Sequence, residues 1–346
     1  MTSSQRPWLT IDGAHGEGGG QILRTGMALS LLTGYGLNLV NIRAQRDPPG
    51  LQHSHLAAIE AAKQIGSATV TGDELGSMNL SFEPGPIVHG EYEFFVQPSG
   101  SPILVLQTVL WPLLLVDGYS RIVFSGPTHR SGAPTYDYLE KVFLPAVESF
   151  GGQVGAAIER PGFEQAGGGR FQVGIRGGKP LQRVEMLHRG EISRRLARGI
   201  VSELPVSISR RELVVVQRHL DWPWTELDKV EVKSDGPGNV LTLEVEHGSG
   251  VSMLTGFGDK GVPSEEVAEK VVFRMQEFLD ADVPVDEHLA DQLLLPMALA
   301  GGGAFRTTEP SMHTTTTAWL IQRFLAVEIA IRREGQADYR VDVWRR

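Results

Sequence analysis

Two stretches near opposite ends of the chain carry residue types suited to phosphate chemistry. The first is Ser311-Met312-His313-Thr314-Thr315-Thr316-Thr317, which runs into the apolar Ala318-Trp319-Leu320-Ile321. This is the pattern of a capped helix start, with His313 inside its first turn. A helix N-terminus disfavours a protonated imidazole, and a neutral imidazole is a competent nucleophile for covalent catalysis. The threonines offer hydroxyl and N–H groups to phosphate oxygens. A plainer reading also fits, in which Ser311 caps a helix and His313 is simply exposed. The second stretch is Asp12-Gly13-Ala14-His15-Gly16-Glu17-Gly18-Gly19-Gly20-Gln21-Ile22-Leu23-Arg24. It reads as a strand, a glycine loop and a helix N-terminus, an arrangement whose successive N–H groups bind anions. Glu17 could hold a hard cation that bridges phosphates, or it could be a solvated residue in a connecting turn.

Two further stretches could serve such a site. In Asp286-Glu287-His288-Leu289-Ala290-Asp291-Gln292, which precedes Leu293–Leu299, Asp291 and Gln292 suit ribose or base contacts, or else are ordinary polar residues at a helix start. In Ile42-Arg43-Ala44-Gln45-Arg46-Asp47-Pro48-Pro49-Gly50-Leu51, Arg43 and Arg46 could read phosphates bidentately or form plain ion pairs. His53 and His55 form an H-x-H pair, but two residues apart on a helix they face different ways, so a structural or surface role is preferred to metal binding. No Walker A loop, dinucleotide-binding glycine fingerprint, G-x-S-x-G elbow or H-E-x-x-H motif occurs.

The elements that would position these residues alternate between helices and strands, which gives an α/β class. One pattern recurs about three times, with a glutamine near the start of an apolar helix, a strand, a second helix and further strands. In the first copy Gln21 leads into a helix over Ile22–Leu32, followed by strand Leu37–Arg43, helix Gln52–Ile65 and strands at 69–70 and 79–82. In the second, Gln107 sits in helix Ile103–Leu115, followed by strand Arg121–Ser125, helix Tyr136–Phe150 and strands Gln153–Glu159 and Phe171–Ile175. In the third, Gln292 leads into Leu293–Leu299, then strand Gly303–Thr307, helix His313–Phe324 and strand Val327–Ile331. Between about Val184 and Val283 the text changes. A basic helix Glu191–Leu204, a strand Glu212–Gln217, a loop with Trp222 and Trp224, strands Val240–Glu246 and Val251–Phe257, and a helix Ser264–Leu279 are expected there. The expected organisation is a large domain over 1–183 and 284–346, with a smaller α/β domain inserted over 184–283.

Composition narrows the function classes. The chain has 346 residues, 41% apolar and 21% charged, which excludes wholesale disorder. It has no cysteine, so disulfide scaffolds, zinc ribbons and thiol nucleophiles are excluded. The net charge of −9 argues against non-specific coating of nucleic acid, though not against a local basic groove. The longest apolar stretch, Pro102–Val116, is broken by Gln107 and Thr108 and falls short of the ~20 residues that span a bilayer. No secretory leader is recognised, and a cytoplasmic location is expected.

Taken together, the strings DGAHGEGGGQILR, IRAQRDPPGL, LVLQTVL, PGNVLTLEVE, EHLADQLLLPMALAGGG and SMHTTTTA resemble the RNA 3'-terminal phosphate cyclase family, in order from Asp12 to about Leu325. The resemblance implies a fold of three repeated units, each of two helices on a four-stranded sheet, with a small domain inserted in the third. It implies an ATP-dependent enzyme of the ligase class, in which His313 attacks the α-phosphate of ATP and carries AMP. The AMP then passes to an RNA 3'-phosphate, and the neighbouring 2'-hydroxyl closes a 2',3'-cyclic phosphate. By the same resemblance Glu17 matches the residue associated with a divalent metal, Mg or Mn, and Gln107 a polar residue facing the phosphates. Pro134, His288, Asp291 and Gln292 match the adenosine-holding positions, and Arg43 and Arg46 suit the RNA phosphate. His288 stands where relatives often carry tyrosine, and Thr317 where some carry asparagine. The implied partner is RNA with a 3'-phosphate end and no membrane; the oligomeric state stays open, a homodimer among the options.

Two other classes compete with this expectation. Non-catalytic cyclase-like proteins of ribosome assembly lose the nucleophilic histidine, whereas this chain keeps His313 and Glu17. An enolpyruvate-type carboxyvinyl transferase would need a lysine- and arginine-rich site between two domains of similar size, which the unequal layout does not offer.

Overall fold

A computed structural model describes residues 6–346. The chain begins with β1 (Trp8–Asp12), α1 (Gly20–Thr33), β2 (Gly36–Val40), α2 (His53–Ile65), β3 (Thr69–Thr71) and β4 (Leu80–Glu83). The four strands form one sheet in the order β1-β2-β4-β3, with β1 and β2 parallel and the other pairings antiparallel. Leu37, Leu39, Leu80 and Phe82 are buried while Asn38 and Ser81 between them are half-buried, so period-two alternation turns one face inward.

The same order and the same senses of pairing recur in β5 (Glu91–Phe95), β6 (Gly118–Ser125), β7 (Gln153–Arg160) and β8 (Arg170–Gly177), joined as β5-β6-β8-β7. Their helices are α3 (Pro102–Leu115) and a run made of α4 (Tyr136–Tyr138), a π-helical segment (Leu139–Phe143) and α5 (Leu144–Ser149). Next comes β9 (Val184–Met186), followed by β10 (Ile192–Ser202), α6 (Ser207–Leu220), β11 (Leu227–Glu231), β12 (Gly238–His247), β13 (Gly250–Phe257) and α7 (Ser264–Ala281). Strands β10 to β13 make a sheet of different order, β11-β10-β12-β13. Finally α8 (Glu287–Leu299), β14 (Gly302–Thr307), α9 (Met312–Phe324), β15 (Val327–Arg333) and β16 (Tyr339–Arg345) return to the first pattern, and β9 completes their sheet by pairing in parallel with β14. Val184–Met186, at the start of the stretch expected as an insert, thus lies in the third sheet.

The α/β class stands, and two expected elements are reversed. The basic segment Glu191–Leu204 forms strand β10, not a helix. Its arginines and leucine favour helix locally, but nine consecutive pairings with β12, from Arg194 to Ser202, override that preference. The β-branched run in Glu212–Gln217 lies in helix α6, not a strand. Ser209, Glu212, Leu213 and Val216 are buried at spacings of three and four, which is the periodicity of one helix face. Strands β5, β9, β11 and β16 lie outside the expected elements. Among the described residues no helix is long and apolar enough to cross a membrane.

One apolar core runs through α1, α3, α8 and α9 and their sheets, and a second lies between α6, α7 and β12, with Trp222 1% exposed at its edge. Among the ion pairs that join the bodies, two come from the segment Tyr136–Phe143. Asp137 of α4 pairs with Arg198 of β10 at 2.5 Å and with His129 at 2.7 Å, and Lys141 pairs with Glu244 of β12 at 2.6 Å. Burial alone would raise the Asp137 carboxyl, but His129 and Arg198 outweigh it and hold the group well below the usual range.

Glu212 of α6 has no such cation at hand. It is fully buried, one oxygen accepts from Asn239 Nδ2 at 3.1 Å, and the other has no hydrogen-bond partner. Burial pushes its carboxyl up from 4.5 to about 7, against the hydrogen bond from Asn239 and the charge of Arg211. A raised acid stabilises the fold below its unfolded pKa, and that stability is lost as pH rises through the folded value. The loss here falls between pH 4.5 and 7 and amounts to about 3 kcal/mol. Glu212→Gln keeps an acceptor for Asn239 and removes the charge. Urea unfolding is expected to show the variant more stable than the parent at pH 8 and equal to it at pH 4; equal stability at pH 8 would contradict the assignment.

Candidate active site

The N-terminal halves of α1, α3, α8 and α9 converge, and the polar residues that interrupt their apolar stripes meet there. Gln21 donates from Nε2 to Asp291 Oδ2 at 2.5 Å and to Thr317 Oγ1 at 3.0 Å, tying α1 to α8 and α9. Gln107 of α3 donates to Gln292 Oε1 at 3.0 Å, and Gln292 donates back to the His288 carbonyl at 2.9 Å. These links fix side chains that would otherwise lose rotamer freedom only when a ligand arrived.

Above them opens a cavity of about 700 Å³, within the usual range for a small-molecule site. Gln107, Pro134, His288, Asp291, Gln292 and His313 all line it. Its other wall is supplied by β13 and α7, through residues such as Thr255, Phe257, Lys270 and Arg274, so the sheet β11-β10-β12-β13 helps to build the site. Helix α8 starts at Glu287, several residues earlier than expected. Asp286 caps it, accepting from the N–H groups of His288 at 2.8 Å and Leu289 at 3.0 Å. Asp291 and Gln292 therefore lie in its second turn and point into the cavity. Burial raises the Asp291 carboxyl above its ordinary value, while the Gln21 hydrogen bond and the nearby His313 pull it back down.

His313 is the second residue of α9. Ser311 caps that helix, accepting from Thr314 N–H at 3.3 Å. The imidazole is half-exposed at the cavity wall, with Nδ1 4.0 Å from Glu17 Oε2. The glycine loop brings Glu17 there. Its N–H donates to Thr316 Oγ1 at 3.1 Å, and its Oε2 accepts from Gly19 N–H at 2.8 Å. Gly16 has φ +59°, and a Cβ there would lie 2.2 Å from Thr316 Oγ1, so both backbone conformation and space require glycine. Arg46 donates to Glu17 Oε1 at 2.5 Å and to its carbonyl at 2.7 Å. Among the described residues no group of three or more His, Asp and Glu side chains gathers as a metal site.

Arg43 is not among the cavity-lining residues. Its backbone is left-handed, with φ 53°, and its guanidinium donates to the Pro48 carbonyl at 3.2 Å. With Arg24 it acts on His55 beneath the loop. Burial, then Arg24 and Arg43, push His55 down to about 3, so the ring is neutral, and its Nδ1 accepts from Gln52 N–H at 2.9 Å in the capping of α2. The structural reading of His55 holds.

Among the cavity residues missed from sequence are Arg24 and Arg274. Arg24 lies one turn after Gln21 on α1, and a spacing of three after the glycine loop was the available signal. It lines the cavity and has no carboxylate within ion-pair distance among the described residues. Burial pushes its guanidinium down to about 10, against the opposing pull of Glu17 and Asp291. A cavity-lining guanidinium without a matched carboxylate is suited to an anionic ligand. Arg274, on the preceding helix α7, pairs with Glu287 and donates to His288 Nε2 at 2.6 Å. No local pattern signals that contact.

A sequence profile described as RNA 3'-terminal phosphate cyclase matches residues 15–331 of this chain. An RNA 3'-terminal phosphate cyclase of Ectopseudomonas mendocina (strain ymp) is 41% identical over 339 residues, covering 98% of each chain. The protein of that name from Koribacter versatilis (strain Ellin345) is 41% identical over 94% of this chain and 92% of its own. One from Ralstonia nicotianae is 40% identical over 96% of both.

Proposed function

Because the chain belongs to the RNA 3'-terminal phosphate cyclase family, we propose that it converts an RNA 3'-phosphate to a 2',3'-cyclic phosphate at the expense of ATP. The observation that carries this reading is the position of His313. It lies at a helix N-terminus, on the wall of a cavity of nucleotide size, beside Glu17 and across from Arg24 and Gln107. With Nδ1 turned toward Glu17, Nε2 is free to attack the α-phosphorus of ATP. The P–N bond forms as the bond to the pyrophosphate oxygen breaks. An oxygen of the RNA 3'-phosphate then displaces the imidazole, and the 2'-hydroxyl attacks the activated phosphorus, releasing AMP and a proton.

The protein's part is positioning and charge neutralisation. Arg24 and the helix N-termini face the triphosphate, and Gln107 holds its place between them. Pro134, His288, Asp291 and Gln292 enclose adenosine, with Arg274 fixing the His288 ring. Arg46, and Arg43 behind it, meet the RNA phosphate once Arg46 leaves Glu17. Glu17 is a single hard oxygen donor, which fits a divalent ion, Mg or Mn, that takes its remaining ligands from the triphosphate and water. Such an ion would neutralise charge on the leaving pyrophosphate.

The test is incubation with α-labelled ATP and magnesium, followed by denaturing electrophoresis. A protein-bound label that is acid-labile and alkali-stable is expected, as for a phosphoramidate. A chase with 3'-phosphorylated RNA should release the label as AMP and yield a cyclic end. Absence of label while ATP still binds would overturn the proposed intermediate.

A further inference from the structure

The loop that carries Glu17 also presents an aromatic surface away from the nucleotide cavity. His15 is exposed, and its ring stacks on Trp319 of α9 with centroids 3.8 Å apart and planes 20° from parallel. The exposed Arg323, one turn further on, places its guanidinium 5.4 Å from the Trp319 centroid. Among the described residues neither the His15 ring nor the Trp319 indole makes a hydrogen bond. Met312, Thr315, Trp319 and Arg323 follow one another at spacings of three and four, so they share one face of α9. None of them lines the cavity. That face starts at the residue before His313, and Trp319 lies about 9 Å along the helix from it. The bond from Glu17 N–H to Thr316 Oγ1 locks the loop against this face, so the ring stack and the reacting histidine are held in one rigid frame.

An exposed ring backed by a half-buried aromatic and flanked by a cation is a feature on which single-stranded nucleic acid lays its bases. We propose that His15, Trp319 and Arg323 form a stacking platform for a nucleobase at the 3' end of the single-stranded RNA acceptor. The base lies on the open face of His15, which Trp319 backs, and Arg323 meets the adjoining phosphate. This rests on the reading that His313 passes AMP to an RNA 3'-phosphate. It adds where the strand is gripped, and it accounts for recognition that is tolerant of sequence, because every base has a π-face.

The test compares the parent with Trp319→Ala, Trp319→Phe and His15→Ala, the last at an exposed position where folding is not at stake. Three quantities are read: label transfer from α-labelled ATP without RNA, KM and kcat for a 3'-phosphorylated oligonucleotide, and RNA binding by fluorescence anisotropy without ATP. The expected result is unchanged label transfer, with KM for RNA raised about 5- to 100-fold in the alanine variants and kcat little altered. Trp319→Phe should recover most of the loss. An oligonucleotide abasic at its last two positions should lose the same factor with the parent and nothing more with Trp319→Ala, because the two changes remove one interaction. Unchanged KM and binding in both alanine variants would overturn the platform, as would an equal fall in label transfer, which would show that the stack only shapes the loop. If the parent takes no label yet its RNA binding drops in the variants, the platform stands and the adenylylation reading falls.

Discussion

His313→Ala is expected to leave no acid-labile label on the protein after incubation with α-labelled ATP, and to lower RNA cyclisation by about 10⁴-fold or more, the scale on which removal of a covalent nucleophile is felt. The side chain is half-exposed at a helix start and makes no contact that holds the fold together. Urea unfolding should therefore be within ~0.5 kcal/mol of the parent. Loss of label with intact stability and retained ATP binding would assign the nucleophile. Retained label would move it elsewhere, since no other histidine lines the cavity except His288, whose Nε2 already accepts from Arg274. The double variant with His288→Ala would then decide.

Arg24→Ala is expected to slow single-turnover label transfer by about 10²- to 10³-fold at saturating ATP, the cost of removing one preorganised group from developing negative charge. Arg24→Lys, which keeps the charge and loses the fork, should recover part of that rate. Stability should move the other way. The guanidinium is desolvated, with no carboxylate at ion-pair distance among the described residues, and burial already pushes it down to about 10. Removing it without a ligand present should leave the urea midpoint unchanged or higher, a trade of stability for function. A variant that transfers label at the parent's rate would show that Arg24 plays no part at the phosphates. A variant that is strongly destabilised would make it a structural ion instead.

The alternation of helices and strands, the three-fold recurrence of a glutamine at a helix start, and the glycine loop before α1 were all legible in the residues, because each depends on local propensity and on periodicity along a single element. The glutamines proved informative. Gln21, Gln107 and Gln292 interrupt apolar helices, and a polar side chain on a buried face must find partners. They found each other's helices, through Asp291, Thr317 and the Gln107–Gln292 pair.

What the residues alone could not decide depends on contacts between distant segments. Strand β10 reads as a basic helix until β12 pairs with it, and α6 reads as a strand until its Leu213 and Val216 are packed into a core. Nothing near Arg274 marks it as a neighbour of His288, and nothing near Arg46 says that it grips Glu17. The placing of Arg24 in the cavity and of the His15–Trp319 stack outside it is likewise a property of how α1 and α9 meet. Residue types and short spacings determined which groups were available for phosphate chemistry and on which elements they would sit. Which of them face one cavity, which are paired off and which are left without a partner was decided only by the tertiary structure, because burial and pairing are relations between segments far apart in the chain.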